Sequence, residues 1–371
     1  MGESDTLVSA GDGQATASDW LHLMKPGVLI LLQVTAMCAI LIHDLIELRS
    51  AELAGLEASF DYLATGRVML VVAIGGFLTA GGAHTINNVF DRDIDPGMPR
   101  TAHRAIARGA INHKAGLLFG IMLASSGTAF LVWQANQVAA FWAAFSVLFY
   151  VFIYTLWLKR RSVQNIVIGG IAGSTPPLVG WAAAEGINLS ISNPFALGSP
   201  LPWLMFLLIF IWTPPHFWAL ALYCSDQYAK VGVPMMPGVK GGQRTLSEMK
   251  VYSLALIGLA AMPWLAVDKV GELAAYTYTL LALMLGIWYN HSVVTIRVYE
   301  KKDEKGRIPS AVSSFYISLN YLALMFVSLV IVLISIELTI GILLMLMLWQ
   351  LQKLSKSRKL PADSTSDSTS I

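Results

Sequence analysis

The sequence predicts an all-α polytopic membrane protein: a single bundle of nine transmembrane helices, with a short apolar run that adds a candidate tenth at the C-terminus. Three observations lead there. The 371 residues are 56% hydrophobic and only 13% charged, with a mean hydropathy of +0.62, well outside the usual composition of soluble domains. Apolar runs of roughly twenty residues recur along the chain, each long enough to cross the hydrocarbon core as a helix. The runs are continuous rather than alternating with period two, which excludes a membrane β-barrel.

In chain order, residues 1–22 are rich in Ser, Thr, Ala, Gly and Asp, lack the basic start and apolar core of a signal peptide, and read as a disordered cytoplasmic tail. Residues 23–335 form one membrane domain. Its helices are expected near 26–46, 68–90, 115–134, 138–158, 165–184, 202–223, 251–267, 273–296 and 313–334. Residues 336–371 are an extra apolar segment, 338–352, followed by a Ser/Thr/Asp-rich disordered tail. With the N-terminus cytoplasmic and 338–352 counted as a span, 22 of the 25 Lys and Arg residues lie on the cytoplasmic side, and only Arg49, Arg67 and Lys269 fall outside. That bias sets the orientation. Cys38 and Cys224, the only cysteines, are far apart in this topology, so neither a disulfide nor a thiol metal site is indicated.

The second helix carries Gly75, Gly76, Gly81 and Gly82, and the fifth Gly169, Gly170 and Gly173, small residues that let helices approach closely in lipid. Pro176-Pro177 and Pro214-Pro215 remove backbone donors inside the fifth and sixth helices. The freed carbonyls must face protein or a water-filled cavity, which suggests a cavity among helices 2, 5 and 6.

The chemistry concentrates in NNVFDRDIDPGMPRTAHRAIAR, residues 87–108, directly after the second apolar run. Asn87, Asp91 and Asp95 are spaced i, i+4, i+8, so on an α-helix they share one face, and Pro96 ends that helix at about Asp95. Oxygen ligands at a water-accessible membrane boundary suit Mg²⁺, which shares its shell with substrate phosphate oxygens. Arg92, Arg100, Arg104 and Arg108 supply cations for the same oxygens, which together suggests a diphosphate clamp. The competing reading is a solvated loop obeying the positive-inside rule, which accounts for the arginines but not for three ligand-type side chains in register.

On the same side, after helix 6, Asp226, Tyr228 and Lys230 add a carboxylate, a phenol and an ammonium that fit a second site for the same diphosphate. His84 and His216 lie within apolar helices, where an imidazole is costly, and both are candidates to bind haem iron or carry a proton. For His216 a hydrogen bond to a freed carbonyl is the equal alternative.

These residues resemble the UbiA-type intramembrane prenyltransferases. The family's NDxxDxxxD signature is matched by Asn87, Asn88, Asp91 and Asp95. The branch that farnesylates protohaem IX is matched by DRDID at 91–95, Arg100-Thr101 with Arg104, YTLWLKRRSVQNIVIGGIAG from Tyr154, PPLVGW from Pro176, and WTPPHFWALALY through GVPMMP. The resemblance covers about residues 20–335, makes 23–335 the prenyltransferase domain, and implies that the nine-helix bundle surrounds a lateral cavity open to lipid, with a polar cap on the cytoplasmic side. Gly27 stands where the family's KPR motif has Arg, leaving Lys25 alone; His103 and Ala105 replace the Asn and Pro of RTxNRP.

The resemblance implies transfer of a farnesyl group from farnesyl diphosphate to a vinyl of protohaem IX (haem B), giving haem O and diphosphate in the cell (inner) membrane. It implies that Asn87, Asp91, Asp95 and Asp226 hold Mg²⁺, with Asp91, Asp95 and Asp226 catalytic. Asn87, Arg92, Arg100, Arg104, Lys159, Tyr228 and Lys230 would hold the diphosphate. Implied partners are farnesyl diphosphate, haem B, the bilayer, and haem-handling membrane proteins such as haem A synthase; nucleic acid is not among them. A prenyltransferase of aromatic or quinone precursors is the near alternative. A transporter is the distant one, disfavoured because the acids cluster at one face rather than at the midplane.

Overall fold

The computed structural model describes residues 15–304, 306–341 and 345. Among these, every regular element is helical. The first helix, α1 (Ala17–Leu23), lies in the stretch expected to be disordered. Thr16 caps it: the Asp19 amide donates to Thr16 Oγ1 at 3.2 Å, and the Asp19 carboxylate takes the Thr16 N–H at 2.9 Å. Packing of Trp20 edge-on to Phe119 and an ion pair from Arg108 to Asp19 at 2.5 Å order it further, and neither long-range contact is visible in local composition.

The bundle proper comprises α2 (Pro26–Leu53), α3 (Tyr62–Phe90), α4 (His113–Gln134), α5 (Gln137–Leu148), which continues as a π-helix over Phe149–Leu158, α6 (Asn165–Ser174) and α7 (Pro176–Glu185). Then come α8 (Leu201–Tyr223), the short α9 (Ser225–Lys230) and α10 (Met236–Lys240), α11 (Gly242–Gly258), α12 (Val267–Val270), α13 (Glu272–Val294) and α14 (Pro309–Ile334). Eight of the described helical stretches are long and apolar enough to cross a membrane, one fewer than the sequence count. The difference is α13: its 23 residues suffice in length, but Thr277, Asn290 and His291 dilute its apolar character. Most of the candidate tenth span, 338–352, lies outside the described residues.

Close packing follows from the small residues. A Cβ at Gly82 would meet the Gly120 carbonyl and the Ala124 amide at 2.6 Å each, so α3 and α4 touch backbone to backbone there. Gly180 brings α7 against the Ala36 carbonyl of α2 in the same way. Helix α2, whose Ala39, Ile40 and Ile42 have no exposed surface, packs on α3, α7 and α14, so α14 returns to α2 and closes the bundle.

Two helix ends differ from expectation. Pro176 breaks the fifth span into α6 and α7 at Thr175. The Ala172 carbonyl it frees accepts from Ser146 Oγ at 2.8 Å and Thr175 Oγ1 at 2.9 Å, so protein hydroxyls rather than a water cavity satisfy it. Pro214 and Pro215 instead sit buried inside an unbroken α8. Helix α3 stops at Phe90, not Asp95: Asp91 is its C-cap, and a 3₁₀ turn, Asp95–Gly97, follows.

Candidate active site

The site is built on the end of α3 and the turn beyond it. Although the α-helix ends early, the Asp95 amide still donates to the Asp91 carbonyl at 2.9 Å, keeping the two acids one turn apart. Asn87, Asp91 and Asp95 are buried, the acids to 1% exposure each, so each needs a partner. Three cations provide one. Lys159 Nζ donates to Asp91 Oδ2 at 2.5 Å, Arg104 Nη1 reaches both oxygens of Asp95 at 2.8 and 2.9 Å, and Lys25 Nζ donates to Asn87 Oδ1 at 2.7 Å. Asn87 Nδ2 donates onward to Thr155 Oγ1 at 3.2 Å.

Lys25, the residue before Pro26, occupies the left-handed region (φ 55°), which costs roughly 1 kcal/mol. Burial, and then the nearby Arg104 cation, hold its ammonium well below the ordinary lysine range, while Asp91 and Asp95 pull the other way. An anion placed among Lys25, Lys159 and Arg104 would relieve that cost.

A second ring of contacts frames the first. Arg160 grips both oxygens of Asp93 at 2.6 and 2.7 Å and donates to the Phe90 carbonyl at 2.7 Å, capping the end of α3. Arg100 Nη2 donates to the buried Tyr228 hydroxyl at 3.3 Å; burial pushes that phenol above its ordinary range. Tyr228 also lines a cavity of about 250 Å³ with Gly232, Val233 and Met235.

The remaining predicted residues stand apart. Arg92 is exposed and donates to the Val89 carbonyl at 3.3 Å. Asp226 has a 70% exposed side chain bound to Lys302 at 2.7 Å, which holds its carboxyl below the ordinary range. Lys230 is also exposed. Among the described residues no three His, Cys, Asp or Glu side chains converge as a metal centre, so Asp226 does not join Asp91 and Asp95 in this conformation.

His84 is buried against the edge of Tyr150, with Nδ1 unpartnered. His216 is stacked between Trp212 and Phe315, at ring separations of 4.2 and 4.4 Å, and its Nδ1 lies 2.6 Å from Ser318 Oγ. Its partner is therefore a hydroxyl rather than a freed carbonyl. Lys25, Thr155, Arg160 and Asp93 were not among the residues singled out as the site. Their partners lie 62 to 68 positions away, beyond local pattern.

A multi-pass helical bundle with buried acids and cations at one end is the architecture of an intramembrane enzyme. A solved UbiA homolog from Archaeoglobus fulgidus, bound to DMAPP and Mg²⁺, shares the fold with a TM-score of 0.55 at 15% identity, covering 84% of this chain and 99% of that one. The chain belongs to the UbiA prenyltransferase family, whose profile matches residues 53–308. It is 41% identical to a protoheme IX farnesyltransferase of Thermus thermophilus over 328 residues, 88% of this chain and 48% of that one, and so spans about half the length of that relative. It is 40% identical to the protoheme IX farnesyltransferase of Acidiphilium cryptum, over 85% of this chain and 90% of that protein.

Proposed function

We propose that the chain transfers a farnesyl group from farnesyl diphosphate to a vinyl group of protohaem IX, yielding haem O and diphosphate. The observation that carries this is the buried Asn87–Asp91–Asp95 turn faced by Lys25, Lys159 and Arg104, in a chain whose relatives are protoheme IX farnesyltransferases. The residues fit Mg²⁺. Asp91 Oδ1 is buried without a partner, and Asn87 and Asp95 supply further oxygens beside it. When bound, the ion neutralises charge on the diphosphate.

The side chains do the rest. Lys25, Lys159 and Arg104 surround the oxygens on which charge accumulates as the C1–O bond breaks and its electron pair leaves with the diphosphate. The apolar bundle keeps the allylic cation from water until a vinyl carbon attacks C1. Water then quenches the positive charge left beside the macrocycle, its oxygen adding and its proton departing. Arg100 and Tyr228 form the wall nearest α9, and Asp226, paired with Lys302 at 2.7 Å, is the carboxylate α9 offers to a second ion. His84, with its free nitrogen, is the better placed of the two histidines to meet the haem. The domain spans 23–335, the N-terminus faces the cytoplasm and the membrane is the cell (inner) membrane, in keeping with the distribution of Lys and Arg.

The test uses purified protein in lipid nanodiscs with Mg²⁺, farnesyl diphosphate and haem B, followed by haem mass and diphosphate release. Farnesylated haem formed by the parent, and lost in a folded Asp91→Ala variant, is the expected result. Turnover with an aromatic or quinone precursor instead would move the acceptor. Diphosphate release indifferent to Asp91 would remove the clamp.

A further inference from the structure

Thr155 lies in the π-helical stretch Phe149–Leu158, where backbone pairing reaches five residues back: the Lys159 amide donates to the Tyr154 carbonyl at 2.8 Å. The Thr155 hydroxyl follows the same wide turn and donates to the Tyr150 carbonyl at 2.8 Å. A hydroxyl has one proton. With it committed to Tyr150, Thr155 Oγ1 faces Asn87 only as an acceptor, and it takes the Asn87 Nδ2–H at 3.2 Å. On the other side of the same amide, Lys25 Nζ donates to Asn87 Oδ1 at 2.7 Å.

The two contacts select one of the two orientations of the amide, with its oxygen turned to the cationic side and its nitrogen to the π-helix. The Thr155 and Asn87 side chains are both about 2% exposed, so no bulk water offers the N–H an alternative partner. We infer that Thr155 is a positioning residue: it orients Asn87 so that Oδ1, not Nδ2, faces the Mg²⁺-diphosphate. This rests on the reading of Asn87 as a ligand of that group. It also gives the π-helix a task, since the wide turn aims the hydroxyl's proton at Tyr150 and leaves its lone pair for Asn87.

The experiment titrates Mg²⁺ with farnesyl S-thiolodiphosphate, an unreactive analogue, into full-length protein by calorimetry, alongside steady-state KM and kcat. Thr155→Val, which keeps the shape and removes the acceptor, should weaken binding roughly tenfold and raise KM. Thr155→Ser should stay within about twofold of the parent. In an Asn87→Ala background, Thr155→Val should add nothing, because it has no amide left to orient. Additive losses would overturn the inference. So would a Thr155→Val protein whose ligand-free unfolding temperature falls while its affinity does not, since Thr155 would then serve only the π-helix. If Asn87→Ala itself leaves binding unchanged, the ligand reading of Asn87 fails, and the positioning role fails with it. If Asn87→Ala weakens binding and Thr155→Val does not, the positioning role fails alone.

Discussion

Asp91 meets Lys159 at 2.5 Å with the carboxylate 1% exposed, so removing the ammonium leaves an uncompensated buried charge. Breaking such a pair from one side costs about 3 kcal/mol or more, whereas removing both charges costs far less. Lys159→Met is therefore expected to unfold at lower denaturant than the parent in detergent. Adding Asp91→Asn should restore most of that stability while turnover stays abolished. A Lys159→Met protein as stable as the parent would mean that the pair is not closed in the resting state. At the rim, Arg160 holds the Asp93 carboxyl below its ordinary range through hydrogen bonds, against a smaller opposing effect of burial. Its folded pKa is thus depressed below the unfolded value of about 3.9, so the link stabilises fully above that value and fades as pH falls through the folded one. The stability difference between the parent and Arg160→Gln, measured from about pH 6 downward, should stay constant until acid conditions and then shrink as Asp93 takes up its proton.

Helix seams set the next scale, and there the sequence is a good guide to spans and a poor one to ends. Apolar runs locate the membrane helices because lipid leaves the chain no other way to satisfy its backbone. The runs do not show that α2 continues to Leu53 or that α11 starts at Gly242, since helix outside the hydrocarbon can be polar. Spacing put Asn87, Asp91 and Asp95 on one face, and they do share one end. The helix nonetheless closes at Phe90, where Arg160 takes its last carbonyl from 70 residues away. The π-helix is equally hidden, because an apolar segment has no polar face whose period would reveal an extra residue per turn. The glycines were legible as packing residues, and they separate by what surrounds them. Gly82→Ala drives a Cβ into α4 backbone at 2.6 Å and should destabilise the bundle by about 1–3 kcal/mol. Gly66→Ala, on the same helix with nothing within 4 Å, should be neutral or mildly stabilising. Unfolding of both variants in the same detergent checks the contrast, and equal effects would mean that the α3–α4 seam yields.

Across the whole molecule, polar groups gather at both ends of the bundle, and the end away from Asp91 was not legible because its pieces are scattered in sequence. There His43 Nδ1 lies 2.8 Å from Asp44 Oδ1 and Nε2 lies 2.9 Å from Glu185 Oε2, while Thr65 donates to Asp44 Oδ2 at 2.6 Å. Trp181 meets the His43 ring edge-on and donates to the Leu197 carbonyl, drawing the 189–200 loop onto the same point. One buried imidazole thus ties α2, α3 and α7. Thr65 and Asn87 sit 22 residues apart on α3, about 33 Å along the helix, so this pin and the clamp are physically separate. Glu185→Gln should therefore cost about 1–3 kcal/mol of stability and leave turnover per folded molecule unchanged. Asp44→Asn should cost more, because it disturbs Thr65 as well as His43. If the pin only fastens helices, the double variant will lose stability non-additively, as expected for partners of one imidazole, with kcat and KM untouched. If kcat falls in step with stability even at temperatures where the protein is fully folded, the two ends of α3 are coupled and the pin helps set the geometry at Asn87.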